Sequence, residues 1–93
     1  MKNAVLYTPD PKSKEIVPKN GKGYFELEEL QEYVGGYIQI INFPDNTILI
    51  INEEGKLNGL EFNLKATYIW VEFYGDTDII VGNAIHCHSD MVK

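Results

Sequence analysis

Residues 27–52 read LEELQEYVGGYIQIINFPDNTILIIN, and the change of period inside them decides the fold. In the first part Leu27, Leu30 and Val34 fall at i, i+3 and i+7, an apolar stripe along one side of a helix. The spacing predicts a helix over about residues 26–34. Glu28 and Glu29 sit in its first turn, where negative charge suits the helix dipole, and Gly35-Gly36 supplies a left-handed end. So short a helix is marginal alone and must be held by packing on a sheet. That sheet follows at once: residues 37–43 and 47–52 read as strands joined by the turn signal Pro44-Asp45-Asn46. Ile40-Ile41 and residues 48–51 are apolar at successive positions, and so on both faces. The hairpin is therefore expected in the middle of the sheet, with the helix on one side and another layer on the other.

Outward from this core the signals are shorter. Residues 4–8 form a first strand, stopped by Pro9-Asp10-Pro11, and Glu15-Ile16-Val17 a second that ends at Pro18. Pro18 cannot donate to a ladder, which puts this strand at an edge. Residues 20–23 are a loop. On the other side Asn63 can cap a short second helix over about 64–69. The alternative there is a strand, because Tyr68-Ile69-Trp70-Val71-Glu72-Phe73 is rich in strand formers. The helical turn is favoured. Residues 75–77 are a turn and 78–87 a strand interrupted near Gly82-Asn83. The expected class is α+β: one domain over 1–93, a small, mostly antiparallel sheet, one main helix and a short second one.

Ninety-three residues, 44% of them apolar, suit a single small core and are too apolar for disorder. Cys87 is the one cysteine, so no disulfide can form within the chain. The apolar run near the start is too short for a signal peptide or a membrane span, and a cytoplasmic protein with no membrane partner is expected. The net charge is −6, from fourteen acids against eight cations, and every cation is a lysine. Readers of nucleic acid need cations to displace counterions and arginine forks to reach guanine, so direct nucleic-acid binding is not expected. The same lack of arginine removes the bidentate phosphate clamp.

Three segments together resemble a known family. These are LEELQEYVGGYIQI at 27–40, INEEGKLNGLEFNLKAT at 51–67 and DIIVGNAI at 78–85. They are similar to an uncharacterised family of small proteins of phages, plasmids and conjugative elements, known as a domain of unknown function. The likeness spans most of the chain and departs from the family pattern at residues 68–74 and in the His-Cys-His tail. It brings no activity, cofactor or catalytic residue. What it implies is a setting, that of a small accessory protein of a mobile element.

The segment INEEGKLNGLEFN, residues 51–63, has two readings. In the first it is a corner: Asn52 bonds its own downstream backbone, Gly55 takes positive φ, and Leu57 and Leu60 pin both sides of Asn58-Gly59 to the core. In the second, Asn52, Glu53, Asn58 and Asn63 form the polar rim of a pocket, since loops carry function more often than cores do. The corner is favoured. His86, His88 and Asp90 share a strand face and invite a metal reading, but a fourth ligand is lacking, and no metal or cofactor is expected. Nor do the residues make a catalytic constellation. Ser13 and Ser89 lack a nucleophile elbow, Cys87 points away from its neighbouring histidines, and Glu53 and Glu54 are neighbours in a turn. No enzyme is expected. The aromatic group Tyr68, Trp70, Phe73 and Tyr74, with Tyr33 and Tyr37, reads first as core, since so small a domain needs large side chains. If residues 68–74 are extended, however, Trp70 and Tyr74 cannot both be buried with Ile69, Val71 and Phe73. Exposed rings on an acidic protein suit a protein interface or a stacked planar ligand.

The leading expectation is an accessory protein that binds and inhibits a host or competitor protein, such as a defence or regulatory factor, with Trp70 and Tyr74 as anchors. The second is a protein that sequesters a nucleotide-like small molecule, using Tyr37, Asn52 and Asn58, with the ligand held between copies of the chain. A structural phage component is a third, lesser reading.

Overall fold

The computed structural model describes residues 3–92. Its elements run β1 (Ala4–Thr8), β2 (Lys12–Ile16), α1 (Leu27–Val34), β3 (Ile38–Asn42), β4 (Thr47–Asn52), α2 (Leu64–Tyr74) and β5 (Ala84–His88), ending in a 3-10 turn at Ser89–Met91. The strands make one five-stranded sheet, ordered β2-β1-β5-β4-β3, with every neighbouring pair antiparallel. Strand parity then sorts the layers. On one face Ala4, Ile48, Ile50, Ile85 and Cys87 meet Leu30 and Val34 of α1. On the other, Leu49 and Ala84 meet Ala66 of α2, with Ile69, Trp70 and Phe73 packed around them. The chain has the expected α+β class, a small antiparallel sheet with one helix on each side.

The β3–β4 hairpin closes as its turn residues dictate. The Asp45 carboxylate accepts from the Thr47 amide at 3.0 Å and the Thr47 hydroxyl at 2.6 Å, while Asn46 takes a φ of 66°. Its place in the sheet differs from the expectation. β4 is interior and buried through residues 47–50, but β3 is the sheet edge, because β5 inserts on the far side of β4 and takes the middle. β2 is the opposite edge, as Pro18 implied, yet it spans Lys12–Ile16 rather than residues 15–17. The tight β1–β2 turn fixes Thr8 opposite Lys12, so the ladder ends at Ala4–Ile16 and Val17 is left outside, 67% exposed.

Within α1 the apolar stripe holds at Leu30 and Val34, both buried, but Leu27 is 52% exposed. Phe25, just ahead of the helix and 2% exposed, fills the core where Leu27 was expected. α2 is longer than the sequence suggested, running through Tyr74, and the strand alternative for residues 68–73 does not form. Helical period decides it: Ala66, Ile69, Trp70 and Phe73 stand at i, i+3, i+4 and i+7 and give one face to the sheet. The last strand begins only at Ala84. Gly82 breaks it, with φ +74° and a position where an added Cβ would lie 2.7 Å from Leu60 Cδ1. Among the described residues no helix is long and apolar enough to cross a membrane.

Candidate functional site

The segment from Asn52 to Leu60 leaves the end of β4 as a folded turn and forms a wall between two concavities. Asn52 anchors it. This residue is 6% exposed; its amide donates to the Val34 carbonyl at 3.1 Å and its side-chain oxygen accepts from the Glu54 amide at 2.8 Å. One buried side chain thus ties the end of α1, the end of β4 and the start of the turn together. The turn then closes on itself through Gly55 N to Asn52 O, Asn58 N to Glu54 O and Leu60 N to Gly55 O. The positive φ expected at Gly55 is found instead at Gly59, at 68°. Gly55 is needed for close approach, since a Cβ there would meet Val81 Cγ2 at 3.0 Å. Leu57, expected to pin the turn to the core, is 82% exposed, and Leu60 alone packs inward, against Gly82.

On the α2 side of this wall lies a groove of about 670 Å³. Its floor is Gln39, Ile41 and Ile51 of the hairpin, and its far side is Trp70, Tyr74 and residues 78–81. Both aromatic residues are tied down. The Trp70 indole N–H donates to the Thr77 hydroxyl at 3.1 Å, the Tyr74 hydroxyl donates to the Asn42 carbonyl, and the two rings lie 4.7 Å apart. Phe43 and Phe73, stacked at 4.4 Å, support them from below. Among the described residues the one lysine lining this groove, Lys56, is bonded to Asp78, and that ammonium holds the Asp78 carboxyl below its usual range.

On the α1 side lies a cleft of about 520 Å³, lined by Glu28, Gln31, Glu32, Tyr37, Glu54 and Asn58 among others. No lysine lines it. Tyr37 stands over it with 67% of its surface exposed, and its carbonyl accepts from Glu53 N at 2.8 Å. Farther along α1, Glu29 is 8% exposed; one of its oxygens accepts from the Lys19 amide at 3.1 Å and the other, buried, has no hydrogen-bond partner among the described residues.

The structure therefore gathers Asn52, Glu53, Trp70 and Tyr74 around one groove, and Tyr37, Asn52 and Asn58 around the other. Asn63 joins neither. It is fully buried, with its oxygen accepting from Ala66 N at 3.0 Å and its amide donating to the Tyr7 and Gly82 carbonyls at 3.0 and 2.7 Å. Its polar atoms face the protein's own backbone. Glu28 and Glu32 were missed as site residues, since on the sequence they read only as helix surface. The pairing of Lys56 with Asp78 spans 22 residues and leaves no local signal.

The histidine tail makes a separate group. His86 shares a hydrogen bond with the Thr47 hydroxyl at 2.9 Å and sets its ring edge-on to Phe43. Burial lowers its pKa, against the opposing pull of Asp45 and Glu72. His88 Nδ1 accepts from the Asp90 amide at 3.1 Å. Among the described residues no three His, Cys, Asp or Glu side chains are grouped to hold a metal ion. Cys87 lies on the α1 face of the sheet, fully buried, and burial pushes its thiol up to about 12. A maleimide at neutral pH should leave Cys87 unmodified in the native protein and label it fully in denaturant, because only the exposed thiolate reacts. Rapid native labelling would show that this core opens.

A family model described as "Domain of unknown function (DUF3846)" matches residues 1–91. The chain belongs to that family. No curated protein and no solved structure matches it.

Proposed function

We propose that this member of the DUF3846 family is a non-enzymatic binding protein that docks a basic segment of a partner protein across the turn of residues 52–60. The observation that carries the reading is the charge of the two concavities. Glu28, Glu32 and Glu54 line the cleft and no lysine among the described residues does, the one ion pair there being the exposed contact of Glu32 with Lys19 at 3.7 Å. Glu53 joins Glu54 at the groove. The one lysine of the groove is committed to Asp78. A surface of this kind steers cationic groups toward it and repels nucleic acid and free phosphate. Tyr37 adds an exposed ring at the rim, and Trp70 with Tyr74 gives the groove an aromatic side, the residue types enriched at interfaces. In the mobile-element setting that the sequence likeness implies, the partner is a host or competitor protein whose basic surface is occupied and so inhibited.

The test is capture of a partner from host lysate, followed by titration of the identified protein at increasing salt. Affinity should fall as salt rises, because exposed charges are screened over about 8–10 Å at moderate ionic strength. The pair Glu32→Lys and Glu54→Lys should weaken binding on the order of tenfold or more, from two exposed ion pairs at about 1 kcal/mol each lost and replaced by repulsion. Binding that is indifferent to salt and to this pair would sink the reading.

A second reading has one specific observation in its favour. The α2-side groove has the volume of a small-molecule site, and the rings of Trp70 and Tyr74 offer it a stacking wall. Calorimetry with nucleotides is its test. Tight binding of a nucleotide with no protein present, abolished by Trp70→Ala, would put this reading first.

A further inference from the structure

The two edges of the sheet are unlike. β2 exposes Lys12 and Lys14 and is flanked by Pro11 and Pro18, the charged and proline-bounded kind of edge that keeps another strand away. β3 lacks the lysines, though Pro44 stands two residues past its end as Pro18 does past β2. From residue 33 to residue 44 the sequence holds no charged side chain, and Tyr37 and Ile40 are 67% and 39% exposed.

The hydrogen bonds of the hairpin show which backbone groups this edge leaves free. Tyr37 O accepts from Glu53 N, and Phe43 N donates to Thr47 O at the other end. In an antiparallel ladder such pairs recur at every second residue, so the odd-numbered residues turn their backbone toward β4. Ile38, Ile40 and Asn42 turn theirs outward. The Asn42 carbonyl takes the Tyr74 hydroxyl and keeps a second lone pair.

We propose that β3 pairs antiparallel with β3 of a second copy of this chain, about a two-fold axis at Ile40. In that register Ile40 faces Ile40 and Ile38 faces Asn42, so each outward N–H meets an outward carbonyl. Gln39 faces Ile41 between them, and no charged residue of one strand opposes one of the other, although each chain carries −6. The axis is normal to the sheet, so both copies show their α2 side together. Gln39 and Ile41, the floor of each groove, become neighbours, and two grooves open at the β3 edge become one continuous trough. A five-residue strand pair is a small contact beside the roughly 800 Å² per partner of a standard interface, so the pair is expected to be weak, with dissociation on the order of micromolar. Repulsion between the two acidic bodies opposes it, so added salt should tighten the pair. This is the reverse of the salt dependence expected for docking a basic partner, and the two proposals fail independently.

Sedimentation of the purified chain across the micromolar range, at low and at high salt, reads the outcome. The mass should move from one chain to two with concentration, and at lower concentration when salt is high. Ile40→Pro removes an outward N–H that β4 does not use and should hold the protein monomeric with the fold intact. If Ile40→Pro lowers the melting temperature, Ile40→Lys is the deciding variant, since it sets like charges face to face on a side chain that is already exposed. A wild-type chain that stays monomeric throughout, or a dimer that persists in a folded Ile40→Lys protein, overturns the proposal.

Discussion

Asn63→Ala should cost about 3–7 kcal/mol, comparable to the whole stability of a weak domain of this size. The Ala66 amide loses its cap, worth about 1 kcal/mol. The Tyr7 and Gly82 carbonyls lose their donor inside the protein, at about 1–3 kcal/mol apiece. These bonds join three separate elements, the end of β1, the start of α2 and the approach to β5, so the loss is not confined to one turn. The melting temperature should fall by about 15 °C or more. Asn63→Asp separates the contributions. It keeps the acceptor for Ala66 but turns both donated bonds into oxygen–oxygen contacts, and it should be at least as damaging as alanine. If the aspartate variant melted like the wild type, the two donated bonds would be shown to contribute nothing.

Leu30→Ala should cost about 2–5 kcal/mol, measured by denaturant titration. Leu30 is 1% exposed and belongs to the core that holds α1 against the sheet, where a short helix has no other support. Leu27→Ala is the control from the same stripe. At 52% exposure it should change stability by less than about 0.5 kcal/mol. Equal losses at the two positions would mean that α1 is seated differently on the sheet.

That contrast marks where the sequence could be read and where it could not. Period alone places α1 and the β3–β4 hairpin, because the apolar spacing changes from helical to extended within a few residues and Pro44-Asp45-Asn46 marks the turn. It does not say that Phe25 rather than Leu27 fills the core, which depends on how the chain enters the helix. The stretch YIWVEF misleads through composition. Its β-branched and aromatic residues suggest a strand, yet the i, i+3, i+4, i+7 spacing of Ala66, Ile69, Trp70 and Phe73 was present as a helical signal. Gly55 was expected to serve by its freedom of φ and serves by its lack of a side chain, a distinction set by Val81 across the turn. For the candidate site, Asn52 and Glu53 could be picked out as turn chemistry. Their meeting with Trp70 and Tyr74 on one side, and with Glu28 and Glu32 on the other, depends on the two helices packing on opposite faces, and no local pattern encodes it. The edge position of β3 was hidden for the same reason. Its isoleucines read as a central strand, and they lie at the margin because β5 pairs with β4 and not with β3.

That insertion also governs how the molecule comes into being. The β1–β2 and β3–β4 hairpins can each close from neighbouring residues as a nascent chain emerges, N-terminus first, at about 5–20 residues per second. They cannot join. The strand that bridges them follows both in the chain, so until it is made β1 and β4 each hold open an inner edge that belongs to β5. β5 works as a keystone: its arrival converts two tethered hairpins into one sheet in a single closing event, with contacts running from Val5 to His86. A chain cut before residue 84 lacks the pairing partner of the inner edges of β1 and β4. Both edges should then be open to proteolysis where the five-stranded sheet is not.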